Sequence, residues 1–258
     1  MLLVLDIGNT NVKTGVFRGN ELVASWRMAT DTRRMPDEYA ALLLSLLQMR
    51  GLQPSSVQDA ALCSVVPPLT GVFEEAIRSY FRVTPLVVGV GVKTGIRILY
   101  DSPRDVGADR VVAAAAAYQL YGGPVIVVEF GTATVFDAVT REGEYLGGAI
   151  HPGLHVAAEA LFTSTSQLRR VELTRPAHAI GRNTVAAIQS GVVLGHVGLV
   201  EGMVRRFKEE LGEDARVIAT GGLAHLVACE TEVFTAVNED LILHGLRMVF
   251  EMNRRAGV

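Results

Sequence analysis

A long internal repeat constrains the fold of this chain more than any other feature. Leu2 to Leu5 form an apolar run that meets Asp6, and Ile7, Gly8, Asn9, Thr10 and Asn11 follow. A second apolar stretch, Val12 to Phe17, runs into the turn signal Arg18-Gly19-Asn20 and a third strand. About half a chain later, Pro124 to Val128 is again apolar and ends in a carboxylate, Glu129. Phe130, Gly131, Thr132, Ala133 and Thr134 come next, then Val135 to Val139, the turn Arg141-Glu142-Gly143 and another strand. Short apolar runs bounded by turn residues read as buried strands. Aligned, DIGNTNVKTGVFRGN matches EFGTATVFDAVTREG. A repeat of this length predicts two like domains rather than a solenoid.

The repeated turn carries chemistry. Gly8 has no Cβ, so its backbone can approach a ligand closely. Asn9, Thr10 and Asn11 supply amide and hydroxyl donors, and the loop amides add more. Lys13 adds a cation, and Asp6 at the strand end can hold Mg²⁺ through water. Such a set suits a phosphate–Mg²⁺ ligand; the plainer reading is a hairpin that uses Asn and Gly only as turn formers, and the second copy argues against it. Two phosphate-contacting hairpins facing each other across a cleft is the arrangement of the actin-like ATPase and sugar-kinase superfamily, and this chain resembles a small member of it. The expected fold is α/β, with two duplicated actin-like (ribonuclease H-like) domains, each built on a mixed sheet and divided as 1–109 and 110–258.

Composition narrows the setting. Of 258 residues, 49% are hydrophobic and 20% charged, which supplies a sizeable core. A net charge of −3 without a basic block argues against nucleic acid as partner. Cys63 and Cys229 lie far apart without metal-ligand spacing, and are expected as buried apolar fillers in a reducing cytosol. No basic segment precedes the first apolar run, and no stretch reads as long and apolar enough to span a membrane, so the expected location is cytoplasmic.

In the first half, Asp31 to Met35 reads as a loop. Its Arg33 and Arg34 suit either a solvated surface or a reach to phosphate. Pro36 and Asp37 open a helix to about Gln48, closed by Gly51. A strand within Val57 to Val66 is stopped by Pro67-Pro68, a helix covers Thr70 to Phe81, and a strand falls in Pro85 to Gly89. This alternation predicts an α/β layer. Thr94 to Arg110 is a loop broken by Pro103 and Gly107. Asp109 then stands directly before an alanine-rich helix, Arg110 to Tyr121, where it reads as a helix N-cap. A carboxylate there can also accept a proton from a substrate hydroxyl, with Arg110 beside it to pair an anion. Phosphoryl transfer asks for little more than positioning, proton acceptance and charge neutralisation.

In the second half, His151 and His155 have i, i+4 spacing, but Pro152-Gly153 interrupts any common helix, and a metal site is not expected. Gly181-Arg182-Asn183-Thr184 introduces a helix, Val185 to Val200, whose glycines at 191, 195 and 198 suit close helix packing or a subunit interface. The strand Arg216 to Ala219 runs into Thr220-Gly221-Gly222, where bare amides can face a nucleotide. Asn238-Glu239-Asp240 caps a last helix, Leu241 to Asn253.

Taken in order, these pieces resemble the type III pantothenate kinases along the whole chain: the DIGNTN hairpin, Tyr100 with Pro103 and Gly107-Ala108-Asp109-Arg110, the GTAT hairpin, Pro152-Gly153-Leu154, Gly181-Arg182-Asn183-Thr184 and Thr220-Gly221-Gly222. The resemblance implies ATP-dependent phosphorylation of pantothenate to 4'-phosphopantothenate, the first step towards coenzyme A. It implies Asp109 as general base. It implies ATP binding by Asp6, Ile7, Gly8, Asn9, Thr10, Asn11, Val12, Lys13 and Thr132, with Asp6 holding Mg²⁺ through water. Pantothenate would be held by Tyr100, Gly107, Ala108, Asp109, Arg110 and Thr184. A homodimer is implied, with Thr184 reaching the partner's site, and so is a monovalent cation, K⁺ or NH₄⁺. Two positions depart from the pattern. Glu129 stands where the family has the aspartate that binds this cation, and Val135 where it usually has threonine. Glu129 is expected still to contact K⁺. The alternative is a non-catalytic nucleotide- or metabolite-binding regulator on the same fold, motivated by Glu129 and Val135 and opposed by the intact Gly107-Ala108-Asp109-Arg110. An actin-like filament protein fits least, since the chain lacks the large inserted subdomains filaments use.

Overall fold

Alternating apolar residues and tight turns give the first hairpin its form. Leu3, Leu5 and Ile7 point to one side of their strand, and Leu2 and Val4 to the other. In the computed structural model, which describes residues 1–254, the elements in chain order are β1 (Leu2–Ile7), β2 (Asn11–Arg18), β3 (Glu21–Ala29), α1 (Pro36–Met49), β4 (Asp59–Ser64), α2 (Pro67–Phe81), β5 (Leu86–Val87), β6 (Arg97–Ile98) and α3 (Ala108–Tyr121). Then come β7 (Val125–Phe130), β8 (Ala133–Val139), β9 (Glu144–Pro152), α4 (Leu154–Ser164), α5 (Thr184–Leu211), β10 (Arg216–Thr220), α6 (Ala224–Ala228), β11 (Ala236–Val237) and α7 (Leu241–Arg254). Positions 255–258, the end of the expected second domain, lie outside the described residues.

Two sheets repeat one topology. The first has the order β3-β2-β1-β4-β5, and the second β11-β10-β7-β8-β9-β6. Within each, the hairpin strands are antiparallel (β1–β2–β3 and β7–β8–β9), while β4 lies parallel to β1 and β10 parallel to β7. Read from the hairpin outward, β3-β2-β1-β4-β5 and β9-β8-β7-β10-β11 are the same arrangement. β6 is an addition beside β9 in the second copy. Mixed sheets with crossover helices are the expected α/β architecture.

The chain divides into two compact units. One holds Met1–Gly95, Ser102–Ala116 and the chain from Ile242 onward; the other holds Ile96–Asp101 and Ala117–Leu241. The expected division cuts the chain once, between 109 and 110. Here α3 passes from one unit to the other, and α7 belongs with the first. The reason is apolar: Ile242, Leu243, Leu246 and Val249 of α7 are buried with Leu2, Val4, Ala61 and Val112.

In the first unit, the other sheet face packs on α1 and α2 through Leu3, Leu5, Ile7, Tyr39, Leu43, Leu62, Leu69 and Phe73. Pro67 and Pro68, expected only to stop a strand, occupy the first helical positions of α2, where a missing N–H costs nothing. In the second unit, α5 lays Ile188, Val192, Val193, Val197, Val200 and Val204 on the sheet with Ile126, Val128 and Phe136. This helix outruns the expected Val185–Val200 because its apolar stripe continues through Met203, Phe207 and Leu211. Asn183 caps it, its Oδ1 accepting from the Ala186 amide at 2.9 Å. Against expectation, α5 is long and apolar enough by length and composition to cross a membrane, yet those six side chains are buried in the core of the unit. Cys63 is buried as expected, but Cys229 is exposed just past the end of α6, so the filler reading fails for it.

Candidate functional site

The two copies place their acids alike. Asp6 is the fifth residue of β1 and Glu129 the fifth of β7, and in each strand that position alone is half-buried between buried neighbours. A turn closes directly afterwards. The Gly8 amide donates to the Asn11 carbonyl at 3.1 Å, and the Gly131 amide to the Ala133 carbonyl at 3.0 Å.

In the first unit, strand register lines up three side chains of different chemistry. Asp6 pairs with Lys13 across β1–β2 and with Cys63 across β1–β4. The Cys63 thiol donates to Asp6 Oδ1 at 3.5 Å. The Asp6 carboxyl is pushed up to about 7, chiefly by burial and then by the charge of Asp109; the Cys63 bond and the Lys13 charge oppose the rise. Asp109 is likewise raised, chiefly by burial, and held back by the Arg110 amide and charge. Both carboxyls are drawn away from water, and Asp6 also feels the charge of Asp109.

Asp109 is not the helix cap. α3 begins at Ala108, so Asp109 stands in its first turn, with Oδ1 accepting from the Arg110 amide at 2.8 Å. A Cβ on Gly107 would run into that same Oδ1 and come within 3.3 Å of Val65 Cγ1. Gly107 is therefore what lets the chain turn so close to the carboxylate. Ala108 packs on the α7 side of the sheet.

The turn Gly8 to Asn11 offers its exposed Asn9, Thr10 and Asn11. Thr30, on the segment after β3, fixes it from behind: its Oγ1 donates to the Gly8 carbonyl at 2.6 Å, and its amide to the Thr10 carbonyl at 3.1 Å. Ile7 and Val12 are fully buried in the core, so any ligand contact from them is through main chain. Arg33 and Arg34 pair with Asp31 in their own loop. Among the described residues no three His, Cys, Asp or Glu cluster to hold a metal. In the row Lys13–Asp6–Cys63 only Asp6 offers the hard oxygen that Mg²⁺ prefers.

In the second unit, the turn after Glu129 is gripped by two glycines. The Gly153 amide donates to the Thr132 carbonyl at 3.0 Å, and a Cβ on Gly153 would sit 2.6 Å from that oxygen. Gly221, at φ +94°, lies against Phe130, where a Cβ would meet the backbone nitrogen at 2.7 Å. Thr134 bonds His196 Nε2 at 2.8 Å. His196 is lowered to about 4 by burial and by neighbouring His151. Tyr100 belongs to this unit, as does Thr184, which is exposed at the start of α5. Thr184 borders a cavity of about 610 Å³ with Ile188, Gly191, Gly195, Leu161 and His196. Sequence reasoning missed Cys63 and Thr30 beside these turns, and singled out Gly153 without its grip on Thr132; the Thr30 hydroxyl carried no motif, and the Cys63 role depends on parallel strand pairing.

Duplicated sheets that each end an inner strand in acid–x–Gly define the class of actin-like, sugar-kinase folds. Solved structures agree on the fold. A Campylobacter jejuni protein assigned to the Baf family of transcriptional activators aligns over 98% of this chain and 99% of its own at 18% identity, TM-score 0.63. A Porphyromonas gingivalis protein assigned as an N-acetylglucosamine kinase aligns over 98% and 100% at 13% identity, TM-score 0.50. The family model of type III pantothenate kinase matches residues 2–206. A type III pantothenate kinase of Dehalococcoides mccartyi is 53% identical over 253 residues, 98% of this chain and 96% of the relative. The chain belongs to the type III pantothenate kinase family.

Proposed function

We propose that this protein transfers the γ-phosphoryl group of ATP to the hydroxyl of pantothenate, giving 4'-phosphopantothenate and ADP, the first step of coenzyme A synthesis. The observation that carries this reading is the match to the type III pantothenate kinases along nearly the whole chain, with Asp109 in the first turn of α3 beside Gly107 as the candidate base. Asp109 accepts the hydroxyl proton as the alcohol oxygen bonds to phosphorus and the bond to the bridging oxygen of ADP breaks. A carboxyl raised by burial is a stronger base than a solvated one. Arg110 steadies the substrate carboxylate or hydroxyls, and Tyr100, Gly107, Ala108 and Thr184 complete the pantothenate contacts. The backbone from Asp6 to Lys13 and the Thr132 hydroxyl take the ATP phosphates. Mg²⁺, when bound near Asp6, neutralises phosphate charge.

The same reading has Glu129 contacting K⁺ or NH₄⁺, and a homodimer in which Thr184 serves the partner's site. Support for the dimer comes from α5. Added Cβ atoms at Gly191, Gly195 and Gly198 meet nothing within 4 Å among the described residues, so packing among these residues does not explain the glycines. The reading includes a cytoplasmic location and no nucleic-acid or membrane partner, with the two duplicated sheet motifs lying within 1–109 and 110–258.

The test is a coupled assay with ATP, pantothenate and Mg²⁺ on the wild type and Asp109→Asn. The amide keeps the shape but cannot take the proton. Turnover is expected to fall by about 10²- to 10⁴-fold with nucleotide binding retained. Wild-type turnover in the variant removes Asp109 from its role.

A further inference from the structure

Tyr100 is seated by a structure that no motif announces. The segment before it is zipped onto β9. The Arg97 amide donates to the Gly143 carbonyl and the Leu99 amide to the Tyr145 carbonyl, each at 2.9 Å, and the Arg97 guanidinium pairs with Glu144. On β9 the register against β8 then slips. Ala138 faces Gly147 but Val139 faces Tyr145, leaving Leu146 as an extra, outward residue. Bulges of this kind re-aim neighbouring side chains.

Two consequences meet at the Tyr100 ring. Gly147, at φ +122°, lies beneath it: a Cβ there would come 2.9 Å from Cε2 and 3.1 Å from Cδ2. Tyr145 leans on it, with ring centroids 6.4 Å apart at 51°. Tyr145 is itself fully buried, its hydroxyl donating to Oδ1 of the buried Asp137 carboxyl group at 2.6 Å. A buried hydrogen bond at the hydroxyl fixes the orientation of a ring that packing alone would leave free to turn.

We propose that Gly147, together with the Tyr145–Asp137 pair, forms a positioning set that holds the Tyr100 ring where it meets the acyl-amide substrate, so that substrate affinity is set from β8 and β9. This rests on the reading of Tyr100 as a pantothenate contact. Gly147 and Tyr145 act on the substrate only through Tyr100.

The experiment is a double-mutant cycle on the full-length enzyme, reading KM for pantothenate, KM for ATP and thermal melting. Tyr100→Ala tests the underlying contact and is expected to raise KM for pantothenate by about tenfold or more while sparing KM for ATP. Gly147→Ala is expected to raise KM for pantothenate about tenfold in the wild type and not at all in the Tyr100→Ala background. Its melting penalty from backbone conformation persists in both. If Tyr100→Ala leaves KM unchanged, the contact itself is wrong. If Tyr100→Ala raises KM but Gly147→Ala multiplies it equally in both backgrounds, the contact stands and the positioning set is overturned. Should Gly147→Ala not fold, Tyr145→Phe is read in the same cycle: coupling to Tyr100 supports the proposal and additivity overturns it.

Discussion

The thiol of Cys63 and the carboxylate of Asp6 stand side by side on parallel strands, Sγ donating to Oδ1 across 3.5 Å. The bond opposes the burial and the Asp109 charge that push Asp6 up to about 7. Cys63→Ala removes that opposition. The acid limb of kcat/KM for Mg²⁺–ATP is expected to move up by about half to one pH unit, the worth of one net hydrogen bond. Cys63→Ser, which keeps a donor, is expected to restore it. A pH profile on all three proteins decides the matter, and an unmoved limb in Cys63→Ala denies the thiol its influence.

Asp6 also predicts a pH dependence of stability in the ligand-free protein. Its carboxyl titrates from 3.8 when solvated to about 7 in the fold, so the native state keeps a proton the unfolded chain has lost. The protonated carboxyl's advantage is intact below about pH 4 and is lost as pH rises towards 7. Melting temperatures measured across that window are expected to fall with pH in the wild type relative to Asp6→Asn. Parallel curves for the two proteins contradict the shift.

Glu129 occupies the strand position in β7 that Asp6 holds in β1. If it contacts the monovalent cation, turnover in K⁺ or NH₄⁺ exceeds that in Na⁺. Glu129→Gln then raises the K⁺ concentration for half-maximal activity by at least about tenfold. Equal rates in Na⁺ and K⁺ for the wild type rule the contact out.

Gly195 faces open space on α5, next to the cavity that Thr184 borders. Gly195→Glu therefore fits the isolated chain and adds helix propensity of up to about 1 kcal/mol. Size-exclusion chromatography is expected to show a monomer with unchanged far-ultraviolet circular dichroism, and turnover is expected to be lost with the partner's Thr184. A variant that still elutes as a dimer places the interface elsewhere.

Much of this architecture was readable from local pattern. The two hairpins, their acid–x–Gly turns, α1, and the strand–helix alternation lie where apolar period and turn residues put them. Element ends and side-chain exposure departed from that pattern. The alanine run fixed the course of α3, but the helix begins at Ala108 and takes Asp109 into its first turn, where Gly107 leaves room for the carboxyl group. The apolar stripe of α5 continues past Val200 because Val204 and Phe207 still have a sheet to cover. Exposed Cys229 looked no different in sequence from buried Cys63.

Sequence by itself determined the duplication, the hairpin turns and the identity of the chemical groups, because turn conformation and strand period depend on residues a few positions apart. Tertiary structure alone decided how those groups behave. The proton affinity of Asp6 depends on its burial in the folded chain, on a thiol 57 residues away and on a second carboxylate still farther along the chain. Desolvation and charge coupling act through space, and only the folded chain sets those distances.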